Sequence, residues 1–110
     1  MHNESLTALT RHHLEAAAAA SSGRSAHTTY GGQEHALRQT LIALRAGSRL
    51  DEHENPGEAT LQVLHGQVSL VSGDDSWLGS PGDLITIPDA RHALEAIEDT
   101  AVLLTVAVRR

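Results

Sequence analysis

Cysteine, phenylalanine and lysine are all missing from the 110 residues, and the only large aromatics are Trp77 and Tyr30. Without cysteine there can be no disulfide, no thiolate nucleophile and no cysteine-held zinc. With so few aromatics, Leu, Val, Ile and Ala must fill the core. Each aromatic buries a large area, so the hydrophobic reserve is small, and a chain this lean gains by burying a face against a second copy. Positive charge is also scarce. All eight basic residues are Arg, the net charge is −6, and the only basic pair is Arg109-Arg110. Nucleic-acid binding by counterion release needs a basic face, which this composition excludes. No window approaches the apolar length of a membrane span. The N-terminus lacks a basic n-region, and its alanine run, 16–20, is too short for a signal h-region. A cytoplasmic location is the resulting expectation.

What is present begins with a helical pattern over 3–20. Asn3 or Ser5 can cap it, and Leu6, Leu9, His13 and Ala17 fall near one face. The stripe is thin, so this helix is expected to dock on something rather than form a core. His2, His12 and His13 are read as facing water. Residues 21–35, with Gly31-Gly32, read as a mobile connection. The stretch 36-ALRQTLIALRAG-47 is ambiguous: Leu37, Leu41 and Leu44 have helical spacing, while alternate positions also fit a strand.

From Ala59 the chain becomes short β runs separated by turn signals. They are 59-ATLQVLHG-66, 67-QVSLVSG-73, 76-SWLG-79, 84-LITIP-88, 92-HALEAI-97 and 101-AVLLTVAV-108. Pro81-Gly82 marks one turn, and Asp83 is read as its support. His65, before a turn glycine, is expected to face solvent. Trp77 is expected at a barrel edge or in dimer packing. The spacing suits an antiparallel sandwich or barrel.

The chemistry concentrates in 47-GSRLDEHENPGEATLQVLHG-66. This stretch, with PGDLITIP further on, resembles the small single-domain cupins, a jelly-roll β-barrel family. The resemblance covers about 36–108. The family's first motif reads G-x5-H-x-H-x(3 or 4)-E-x6-G. Gly47, His53 and Gly66 keep its spacing, Asn55 stands for the second His, and Ala59 stands at the Glu position. Glu58 lies one place before it. The second motif, G-x5-P-x-G-x2-H-x3-N, is met by Gly82 and Pro88, but His92 comes one residue early and Ala96 replaces the Asn.

The resemblance implies an all-β fold: an N-terminal helix and arm over 1–35, and a jelly-roll barrel over 36–110. It implies a homodimer and a small-molecule ligand or substrate. It also implies a metal site at His53 and His92, with Glu58 as the displaced carboxylate, for Fe, Mn, Ni or Zn. A two-His-one-carboxylate set leaves positions open for substrate and oxygen, which suits a dioxygenase or isomerase of a small organic acid or carbonyl compound. Asp51 is a substitute carboxylate, and Asn55 a weak donor. Arg91 could hold a substrate carboxylate at the rim. His35 could reach the mouth if the arm folds back. The alternative is a metal-free cupin that binds a ligand or serves as an accessory or regulatory module. No G-x-S-x-G, phosphate loop or H-E-x-x-H helix is present, so nucleophilic catalysis is not expected.

Overall fold

The computed structural model describes residues 3–53, 57–88 and 90–108, the side chains of Glu52 and His53 excepted. One helix, α1 (Leu6–Ala19), precedes nine strands: β1 (Arg24–Tyr30), β2 (Leu37–Leu44), β3 (Arg49–His53), β4 (Gly57–His65), β5 (Val68–Ser72), β6 (Asp75–Gly79), β7 (Leu84–Thr86), β8 (His92–Ala96) and β9 (Thr100–Val108). They form two antiparallel sheets. One has the order β1-β2-β9-β4-β7, the other β3-β8-β5-β6. Together they make the antiparallel barrel that the turn spacing suits, with the jelly-roll form that the family resemblance implies.

Alternation along β4 sets the inner face. Ala59, Leu61 and Val63 are buried, while Glu58 and Gln62 are exposed. The inner faces of both sheets supply one aliphatic core, with Leu44, Leu61, Val63, Val68, Leu70, Leu94 and Val102 at its centre. Gly79 lies where the sheets approach most closely. A Cβ there would stand 2.8 Å from the Ile85 side chain and 2.9 Å from that of Val63.

The ambiguity at 36–47 resolves as β2, and the reason is burial on both faces. Ile42 and Leu44 belong to the core. Leu41 and Ala43, on the opposite face, are also fully buried, because α1 packs there. Double burial erases the polar alternation of a half-exposed strand, and short apolar runs then read equally well as helix. Neighbouring β9 does the same with Ala101 and Leu103, also buried outside the core cluster. The helix thus docks on the outside of the five-stranded sheet, as its thin stripe suggests. Ser5 is its cap, accepting from the Ala8 N–H at 3.1 Å.

The connection read at 21–35 is corrected: it contains β1, paired residue by residue with β2 from Arg24↔Leu44 to Tyr30↔Gln39. The sheet therefore begins at Arg24 rather than near residue 36. Its Arg-Ser-Ala-His-Thr-Thr-Tyr sequence carries almost no apolar alternation, so pairing with β2, and not an apolar face, marks it as a strand.

Candidate functional site

The barrel has two different ends. At one, the β4–β5 and β8–β9 turns interlock. The Thr100 hydroxyl, fully buried, lies 2.9 Å from the Gln67 carbonyl and 2.8 Å from that of Glu98. The Asp99 carboxylate accepts from the Ala46 N–H at 2.8 Å. Gly66 takes φ +79°, and a Cβ on it would stand 2.1 Å from the Asp99 carbonyl oxygen. This end is a closed floor. The other end gathers the starts of β2, β4 and β8 with the ends of β3, β7 and β9. His92 and the backbone of His53 belong to that mouth.

His92 opens β8 and is only 3% exposed. Its ring lines an apolar cavity with Ile42, Leu50, Leu61, Leu70, Ile87, Leu94 and Leu104. Nδ1 lies 2.9 Å from the Ala90 carbonyl. A carbonyl can only accept, so Nδ1 carries the proton in this contact. Such an anchor is what orients metal-binding and ligand-binding histidines elsewhere. The cavity measures about 30 Å³. That admits one or two waters, and an organic ligand enters only if the wall or mouth yields. Larger concavities are open grooves outside the barrel. One of about 380 Å³ lies between α1 and β4 near Leu14 and Leu64. Another of about 400 Å³ lies along the free edges of β6 and β7.

The ladder sets His53 opposite His92. Leu50 pairs with Leu94, and His53 with His92, so three steps on β3 match two on β8. The extra residue is a β-bulge, a device often used next to sites to re-aim a strand. Parity counting from the sequence misses it.

The other candidates are dispersed. Glu58 pairs with Ala107 and is exposed on the outer face, so it does not join His92. Ala59 takes the inward position, where the cupin motif has its carboxylate, and is 8% exposed. The one-residue displacement reverses the face, because the strand is already regular at Gly57. Asp51 is not a substitute: its side chain is 96% exposed, 3.9 Å from Arg49 Nε. His35 lies outside the cavity, exposed, with its ring edge-on to Tyr30 at 5.3 Å. Arg91 is exposed, and its backbone carbonyl accepts from the Ser72 hydroxyl at 2.8 Å. Asn55 lies outside the described residues. Among the described residues, no three His, Asp or Glu side chains converge as a metal would require.

Several bland expectations hold. His65 faces solvent. The Asp83 carboxylate accepts from the Ser80 N–H at 2.9 Å and so supports its turn. Trp77 sits on the edge strand β6, near Leu78 and Leu84, which are 68% and 66% exposed. No helix among the described residues is long and apolar enough to cross a membrane.

One group escaped the sequence reading. His13 is half-buried rather than water-facing, and sits against β1 with His27. The signal was present, since His13 lies four residues from both Leu9 and Ala17 on the apolar stripe. His27 carried none, because β1 had not been recognised.

No family model matches the sequence, and no curated protein matches it. Solved structures do match in shape. A conserved protein of unknown function from Streptococcus pyogenes is 25% identical, with TM-score 0.74, covering 83% of this chain and 79% of that one. A cupin superfamily protein from Desulfitobacterium hafniense is 16% identical, with TM-score 0.72 and 78% of each chain covered. A variant of the salicylate 1,2-dioxygenase of Pseudoaminobacter salicylatoxidans, in complex with gentisate, is 19% identical, with TM-score 0.74. It covers 91% of this chain but 32% of its own.

Proposed function

We propose, from the premise that this chain is a small single-domain cupin in fold, that it binds a small organic molecule in its barrel without a resident metal. The observation that carries this reading is Ala59. It occupies the inward position that would supply the carboxylate ligand, while Glu58 faces outward. A stable first-row metal site wants three or four convergent donors, and among the described side chains lining the cavity His92 is the one donor. The donor set thus does not fit the two-His-one-carboxylate chemistry, and no catalytic step is derived through a metal. The pocket suits a different use: an aliphatic wall with one oriented imidazole. The His92 imidazole gives a ligand hydroxyl or amide its direction, while the aliphatic side chains give affinity. The ligand is therefore compact and largely apolar, with one donor group.

A second reading has specific support. The pairing of His53 with His92 and the Nδ1 anchor are what a metal-dependent dioxygenase or isomerase of a small organic acid would need, and the likeness to a dioxygenase agrees with it. This fold hosts many activities, so the likeness alone does not decide.

Untagged protein, reconstituted separately with Fe(II), Mn(II), Ni(II) and Zn(II) and then desalted, separates the two. The binding reading expects less than about 0.1 metal per chain, and a His92 ring resonance that shifts on titration with phenol, a flat apolar probe with one hydroxyl. Stoichiometric metal that disappears in His53→Ala and His92→Ala would overturn it.

We further infer that two copies associate. The edge of β6 and β7, with Trp77, Leu78 and Leu84 exposed together, is the surface a second copy would cover. Light scattering checks this: a dimer is expected, and Leu78→Glu should shift it toward monomer.

A further inference from the structure

We propose that α1 is a pH-sensitive cover, held to the barrel by the imidazole of His13 at its seam with β1 and loosened by its protonation. The cluster stands apart from the barrel mouth and does not depend on what binds there. His13 lies 2.7 Å through Nδ1 from the Ser25 hydroxyl. Its ring stacks on that of His27 from β1, centroids 5.8 Å apart and 27° between planes. The ring of His12, the preceding residue, meets His13 edge-on at 4.8 Å. His27 Nε2 lies 3.0 Å from a carboxylate oxygen of Glu4, just before the helix.

The charges around the seam are unevenly placed. From β1, Ser25 and His27 face the helix. From β2 come Gln39, Leu41 and Ala43, and from β9 come Ala101, Leu103 and Thr105, none of which titrates, while from β4 His65 lines the groove beside α1 with Arg11. Glu4 compensates His27 when that ring is charged, but among the described residues the charges acting on His13 are the two other imidazoles. A proton on His13 therefore meets partial burial first, and then the unfavourable influence of the two neighbouring rings.

The titration of His13 is displaced downward accordingly, by burial first, then by His12 and His27. A histidine depressed in the docked state and ordinary in the undocked state favours docking fully above about pH 6.5. That contribution is lost as pH falls below 6.5, because only the undocked helix takes up the proton readily. Loosening would uncover Leu41, Ala43, Ala101 and Leu103, an aliphatic patch now beneath the helix. At the far end of α1, Arg45 donates to the Ala18 and Ala20 carbonyls at 3.3 and 3.1 Å. These bonds involve no histidine, so the N-terminal two-thirds of the helix should respond first.

Amide hydrogen exchange on the full chain, corrected for intrinsic rates, tests this between pH 7.5 and 5.5. Protection over residues 6–16 should fall by about three- to tenfold at the lower pH, while β4 and β5 hold theirs. His13→Gln should remove most of that dependence, and His27→Gln should reduce it. Asp74→Asn, exposed in the β5–β6 turn of the other sheet, should leave it intact. A helix whose protection does not change with pH would overturn the proposal. So would a dependence that survives in both His13→Gln and His27→Gln.

Discussion

At the floor of the barrel each turn is tied to another. Thr100 reaches two carbonyls, Asp99 reaches across to Ala46, and Gly66 leaves room for the Asp99 carbonyl. At the mouth, one buried imidazole faces an aliphatic wall, and a bulge carries His53 into register with it. The floor is specified by hydrogen bonds that would be costly to leave unmade. The mouth is specified by shape and leaves its chemistry to few atoms. Under the proposed function, architecture and binding are thus held by separate residues, so each can be broken without the other.

The largest effect is expected at the floor. Gly66→Ala places a Cβ against a backbone oxygen at a positive φ, and should cost about 3 kcal/mol or more. Chemical denaturation would read this as a lower midpoint; an unchanged midpoint would mean the β4–β5 turn can shift freely. Next is Ala59→Glu at the mouth. A carboxylate buried in this inward position should cost about 2 kcal/mol in metal-free protein, and melting temperature should then rise with added Zn(II) or Mn(II). If metal fails to restore stability, the mouth lacks more than a carboxylate. Thr100→Val leaves two buried carbonyls with one partner fewer, a loss of about 1–2 kcal/mol. The smallest change in stability is expected for His92→Leu, within about 1 kcal/mol, since the volume is similar and the surroundings are apolar. Phenol binding should nevertheless vanish. A large destabilisation by His92→Leu would erase the contrast between the two ends.

Legibility in the sequence followed the same division. Strands β4 to β9 were readable because glycine, proline and aspartate mark their turns and one face of each is apolar. The phrase PGDLITIP, with its supporting Asp83, anchored the family resemblance. β1 was not readable, since its side chains are polar or small and its identity as a strand comes from β2. β2 was half-readable, because a helix on one side and a core on the other hide the period of two. At the candidate site, His92 was found by its motif, but its burial and its Nδ1 partner were not. The carboxylate was misplaced: spacing put Glu58 next to the expected position, and only pairing with Ala107 shows which face it takes. His13 and His27 meet from segments 14 residues apart, in a contact with no local trace.

The amino-acid order by itself determined the turns, the apolar faces between them, a cap at the head of the helix and the donor types available for chemistry. These are local properties, set by backbone sterics and by each residue's own hydrogen-bonding groups. Tertiary structure alone decided which donors share a face, because a strand alternates direction at every residue and a single bulge or offset reverses the outcome. It also decided which histidines lie buried, since burial belongs to the neighbours that fold over a residue and not to the residue.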